Sequence, residues 1–175
     1  NITGALNLRC PKLTMTPESV ATKTKIGSVD MRGSSITSIL YYAFTSCSVL
    51  TNVYLSSALR SVQQNSFEGD GALKRVYFTG KPPESVYKDA FDSPTGPMCF
   101  FVPKQDADWL AWLAAAEGCA VRAPESEERA AFAEAFGDEG LLVNMIKIPA
   151  TATKWRYLTY WWPNGKPRGL MIFIK

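Results

Sequence analysis

Three groups of residues in this 175-residue chain have the makings of a binding or catalytic site. The first is an aromatic and cationic set: Tyr54, Tyr77 and Phe100, with Asn52, Arg75 and Arg32 beside them. Tyrosine and arginine combine large contact area with polar or charged tips, the composition of binding hot spots. If all six face outward they form a ribbon for a protein partner; the plainer reading is a solvated sheet face whose ring pairs steady the ladder. The second group is Trp155, Tyr157, Tyr160, Trp161 and Trp162, five aromatics within eight residues. Exposed, they would offer a platform for a glycan; packed, they would supply core area. The third is an acidic cluster, Glu125, Glu127 and Glu128, followed by Glu134, Asp138 and Glu139. Paired carboxylates carry out acid–base work in glycosidases. These acids instead stand at a predicted helix start, where negative charge is favourable without any chemistry.

What is missing narrows the field further. The chain has no histidine, so Ser-His-Asp and Cys-His catalysis and every imidazole metal site are excluded. Cys10, Cys47, Cys99 and Cys119 lack the close pairing of a zinc site. An even cysteine count would permit disulfides in an exported protein, but Cys47 and Cys99 fall at apolar positions of the pattern below and read as small buried hydrophobes. The expectation is a non-enzymatic protein with no metal and no cofactor. A net charge of +3 is too small to argue for nucleic acid or an anionic membrane. No apolar run approaches the roughly 18 residues of a membrane-spanning helix. No secretory leader is visible at Asn1. The repeat pattern starts almost at once, so a capping segment is expected upstream.

That pattern decides where the first group must stand. Leu50-x-x-Val53-x-Leu55 recurs 23 positions later as Leu73-x-x-Val76-x-Phe78. Ile26-x-x-Val29-x-Met31 and Thr3-x-x-Leu6-x-Leu8 precede it, and Cys99-x-Phe101 follows as a degenerate copy. Phe44, Phe67 and Phe91 form a second column, spaced 23 and then 24. A fixed period in the range of about 20–29 residues marks stacked units that bury one shared core. Strand alternation then predicts Leu6, Val29, Val53, Val76 and Cys99 inward, and Asp30, Tyr54, Tyr77 and Phe100 outward.

The residues between the columns point to a family. Ile36-x-x-Ile39-x-x-x-Ala43-Phe44-x-x-Cys47-x-x-Leu50 and Leu59-x-x-Val62-x-x-x-Ser66-Phe67-Glu68-Gly69-Asp70-x-x-Leu73 resemble the BspA-type leucine-rich repeat. The stretch from Lys81-Pro82-Pro83 through Ala90-Phe91 to Phe101-Val102-Pro103-Lys104 is similar to the last repeat and exit of that family. The resemblance covers residues 26–104, is poor over 1–25 and does not reach 120–175. It implies an α/β fold, a short right-handed leucine-rich-repeat solenoid of about four to five turns with a parallel strand ladder. It also implies a bacterial protein, secreted or held at the cell surface, that adheres to host or cell-surface proteins.

Three segments are expected. Residues 1–103 form the solenoid. Residues 104–137 form a two-helix cap. The first helix, Asp106–Glu117, carries Trp109, Trp112, Leu113 and Ala116 on one stripe and stops at Gly118. The second runs from Pro124 to Phe136-Gly137. Residues 138–175 form a small antiparallel β-meander of Leu141–Ile148, Lys154–Trp162 and Gly169–Lys175. The function expected is a module that binds a protein through the concave strand face. The alternatives are carbohydrate binding by the C-terminal aromatics, or the attachment end of a larger protein.

Overall fold

The computed structural model describes residues 3–137 and 142–163. The chain winds between two parallel ladders. β1 (Thr3–Asn7), β2 (Lys25–Asp30), β4 (Asn52–Tyr54), β6 (Arg75–Tyr77) and β8 (Cys99–Pro103) line the longer one. β3 (Ser38–Ile39), β5 (Ser61–Val62) and β7 (Ser85–Val86) line the shorter. Because each coil has nearly the same path length, the same column returns at every step. Leu6 pairs with Val29, Val29 with Val53, and Val53 with Val76. Val29, Val53 and Val76 are fully buried, and Leu6 packs against the same core.

The next member of that column is Phe100, which corrects the expectation of Cys99. β8 pairs Arg75 with Cys99, Val76 with Phe100 and Tyr77 with Phe101. The step from Val76 to Phe100 is 24 residues, as it is from Val29 to Val53 and from Val62 to Val86, whereas the expectation of Cys99 carried forward the 23 between Val53 and Val76. In a strand, a shift of one residue exchanges the two faces. Phe100 therefore enters the core, and Cys99 and Phe101 face outward.

Between the ladders, Phe44, Phe67 and Phe91 stack with centroids 5.3 and 5.1 Å apart. Each of the first three coils turns through two left-handed residues at fixed register. Ser19, Tyr42 and Asn65 all have φ of 56°; Lys23, Ser46 and Gly69 have 58°, 62° and 74°. Asp70 stands where the previous coil has Cys47. It is fully buried, and its Oδ1 accepts the Cys47 backbone N–H at 2.7 Å. Burial pushes its carboxyl up to about 8, against the pull of that one hydrogen bond.

Helix α1 (Ala107–Ala114) closes the solenoid's end. Asp106 caps it by accepting from Asp108 N. Trp109 is fully buried, meets Phe78 edge-on at 4.9 Å and donates to the Gly80 carbonyl. Gly80 itself passes so close to the coil before it that a Cβ would lie 2.1 Å from the Ser57 carbonyl oxygen. The helix ends at Ala114, short of the predicted Glu117. Gly118 is not its stop: the chain runs under Trp112 there, and a Cβ would lie 2.3 Å from Nε1 of that ring.

A strand that was not expected, β9 (Ala120–Arg122), separates α1 from α2 (Ser126–Phe136). Glu125 and Glu128 form a capping box at the start of α2, and Arg122 grips both Glu128 carboxylate oxygens at 2.6 and 2.8 Å. Pro124 lies just before that cap and is not the first helical residue. β10 (Asn144–Lys147) and β11 (Arg156–Trp161) complete the described elements. The antiparallel arrangement appears in part, as β11-β10-β9, with its third strand drawn from before α2. The predicted strand Gly169–Lys175 lies outside the described residues.

β11 enters parallel beside β8, from Tyr157 opposite Cys99 to Trp161 opposite Pro103. It occupies the place of a further coil, so one eight-stranded sheet runs from β1 through β11 to β9. Arg156 locks this addition in place. It is buried and donates to the carbonyls of Phe91 at 3.2 Å and Pro94 at 3.0 Å. Burial lowers its pKa, but those carbonyl oxygens still meet the cation with negative dipoles.

Candidate functional site: the outer strand face

On the outer face of the long sheet, strand register aligns two columns. Asn7, Asp30, Tyr54, Tyr77 and Phe101 form one; Ser28, Asn52, Arg75, Cys99 and Tyr157 form the other. The first is an aromatic stack. Tyr54 and Tyr77 lie 4.5 Å apart and 8° from parallel, and Tyr77 and Phe101 are 4.4 Å apart at 22°. Trp161 meets Tyr77 edge-on at 5.0 Å and donates its indole N–H to the Phe78 carbonyl at 2.8 Å.

The other end of the stack is ionic. The Arg32 guanidinium sits 4.2 Å over the Tyr54 ring and donates to both Asp30 oxygens, at 2.9 and 2.6 Å. Arg9 reaches the same carboxylate from the preceding coil. Burial of Asp30 opposes its ionisation, but the hydrogen bonds from Arg32 and Arg9 outweigh that and hold its carboxyl well below the usual range. Two cations on one anion leave this end positive, with the guanidiniums of Arg9 and Arg32 partly open to solvent.

Helix α2 divides the face. Phe132 and Phe136, one helical turn apart, bury themselves against Cys99, Phe101, Met145 and Tyr157 in a second apolar cluster. Arg75 lies 5.4 Å over the Phe136 ring. The half formed by β8 and β11 is thus covered by the chain itself. In the half formed by β2 and β4, Ser28, Asn52, Tyr54 and Arg32 remain half-buried.

Five of the six predicted residues, Asn52, Tyr54, Arg75, Tyr77 and Arg32, do lie on or beside this face. Phe100 does not: it is 1% exposed in the main core, and Phe101 takes its place. Sequence reasoning also missed Arg9 and the docking of α2. The pair Phe132 and Phe136 at i and i+4 was a legible apolar signal without a visible target.

The C-terminal aromatics do not form one platform. Tyr157 is buried under α2 and Tyr160 packs on the main core. Trp161 is held by Tyr77 and Phe78. Trp155 lies between Arg122 and Lys147, at 4.8 and 5.2 Å, and Trp162 lies under Lys104 at 4.8 Å.

Glu125 and Glu128 serve the α2 cap and the pairing with Arg122; Asp138 and Glu139 lie outside the described residues. All four cysteines are free, and only Cys10 is exposed. Burial pushes the Cys119 thiol up to about 11 and the Cys99 thiol higher still, which suppresses thiolate chemistry. Among the described residues no group of three His, Cys, Asp or Glu side chains converges on a metal-sized space. No described helix is long and apolar enough to cross a membrane.

The profile of the BspA type leucine rich repeat region matches residues 6–95, in six copies. The chain belongs to this family. No curated protein and no solved structure matches it. The BspA-type match ends before β8, so both helices and β9–β11 lie outside the matched residues. A solenoid of this kind is typically a scaffold for interaction rather than catalysis.

Proposed function

We propose that this BspA-type module is a non-catalytic adhesion domain, exported or displayed at a cell surface, that binds a protein on the open half of its outer strand face. The observation that carries this reading is the aromatic stack. It is buried at Phe101, emerges at Tyr54, and is steadied there by Arg32 from above and Tyr77 from beside. A ring held in this way loses little entropy on binding. Asn52 supplies an adjacent amide, and Arg9 and Arg32 supply charge for a partner's carboxylates. Family membership supports the setting, since such proteins are typically secreted or surface-attached bacterial proteins. Glycan binding by the C-terminal aromatics has less support, because those rings are already engaged in packing.

The test is surface plasmon resonance against immobilised extracellular-matrix and cell-surface proteins, followed by variants. Tyr54→Ala with Arg32→Ala should remove about 2 kcal/mol or more of affinity for the partner found, the scale of a hot spot. Trp155→Ala should leave binding intact. Loss of binding in Trp155→Ala alone would move the active surface to the C-terminal strands and refute the reading.

A further inference from the structure

The flank of the solenoid beside the shorter ladder carries the protein's exposed tyrosines. Tyr41, Tyr42 and Tyr87 are 38%, 44% and 45% exposed. Tyr41 and Tyr42 follow β3, Tyr87 follows β7, and Gln63, Gln64 and Asn65 follow β5 on the coil between them. The Asn65 amide donates to the Tyr42 hydroxyl at 3.3 Å, and Tyr87 and Tyr41 lie close enough for each phenol to feel the other's charge. Tyrosines and amides make the middle two coils of this flank, which carry no charge there; Glu18 stands beside Tyr41 on the coil before, and Lys88 and Asp89 follow Tyr87 on the coil after.

Tyr42 also sits where folding alone would not put it. Its φ is 56°, the left-handed region, at a register that the neighbouring coils fill with Ser19 and Asn65. Asparagine visits that region readily because its short side chain bonds locally, whereas a bulky side chain is strained there. A strained and exposed aromatic, at a position where the next coil uses asparagine, points to a role in recognition.

We infer that Tyr41, Tyr42 and Tyr87, with Gln63 and Gln64, form a second binding surface, for a neutral oligosaccharide. The negative ring faces of the phenols attract the polarised C–H face of a pyranose. Each glutamine amide both donates and accepts, which suits vicinal hydroxyls. The uncharged centre favours a neutral sugar over a sulfated or sialylated one. Tyr42 and Tyr87 stand two coils apart, roughly 10 Å at about 4.8 Å per strand, so the ligand spans more than one ring. This surface lies across the main core from the proposed protein-binding face and does not depend on it.

The test combines a neutral-oligosaccharide array with NMR titration of the best ligand and three variants. Tyr42→Asn should lower affinity at least tenfold while raising the melting temperature, because it removes the ring and the strain together. Tyr87→Ala should also weaken binding, and Tyr54→Ala should leave it unchanged. The inference is overturned if no neutral oligosaccharide binds, or if Tyr42→Asn binds normally. A lower melting temperature in Tyr42→Asn would equally overturn it, since the tyrosine would then serve the fold. Binding of a protein that Tyr42→Asn abolishes, with no sugar bound, would make the flank a protein-docking surface and likewise refute it.

Discussion

The two halves of the outer strand face share one register and one chemistry, yet they end in opposite environments. At Phe101 the aromatic column lies under Phe132 and Phe136 and belongs to a dry cluster. At Tyr54, two strands away, it is half-open and carries Arg32 on its ring. Nothing in the local strand accounts for the difference. What differs is the cover: α2 reaches β8 and β11, and β2 and β4 are left free. An aromatic on a strand face is thus core or contact surface according to what lies on top of it, and the same protein shows both outcomes side by side.

Removing the cover should give the largest effect. Phe132→Ala together with Phe136→Ala should destabilise by about 5 kcal/mol or more, since each buried Phe→Ala costs roughly 3–5 kcal/mol and neighbours add imperfectly. Thermal melting reads the loss, and dye binding should report a newly exposed apolar strand face. A double variant that melts like the parent would show α2 to be a loose appendage. Within the column itself, Phe101→Ala should cost about 3 kcal/mol or more. Tyr54→Ala should cost about 1 kcal/mol or less, the worth of a cross-strand pair and a partly exposed cation–π contact. Equal losses in denaturant titrations would mean that the two halves are buried alike.

A smaller contrast lies inside the repeats, where Asp70 takes the register of Cys47. Burial pushes its folded carboxyl up to about 8, well above the ordinary carboxylate range. The folded state therefore keeps its proton while the unfolded chain loses one, and stability falls as pH rises from about 4 to about 8. Asp70→Asn should flatten that fall and stabilise the protein at pH 8 relative to the parent, because the amide has no proton to lose there. Melting curves of both proteins at pH 5 and pH 8 are the check, and parallel pH profiles would rule out Asp70 as the cause.

The repeat was legible because it is a local signal restated at each coil. Val29, Val53 and Val76 needed only alternation and a nearly constant period of 23 to 24 residues to be placed inward, and Tyr54 and Tyr77 outward. The reading slipped at Cys99, where a 24-residue step in place of 23 exchanged the faces of Cys99, Phe100 and Phe101. The additions beyond the BspA-type match were harder to place. Trp109 and Trp112 announced an apolar stripe that α1 indeed carries. The three residues of β9 are too few to carry a period of their own, and they exist as a strand because β10 offers an edge to pair with.

The sequence alone determined the solenoid, its inward columns, the aromatic stack from Tyr54 to Tyr77 and the absence of histidine chemistry. Each of these depends on residue identity or on short spacings within a coil. Tertiary structure decided which part of the stack is covered, that β11 extends the parallel ladder instead of standing apart, and that Arg9 joins Arg32 on Asp30. Those outcomes depend on where remote segments find unpaired strand edges and uncovered apolar faces. The assembled sheet creates both, and no stretch of sequence shows them before it forms.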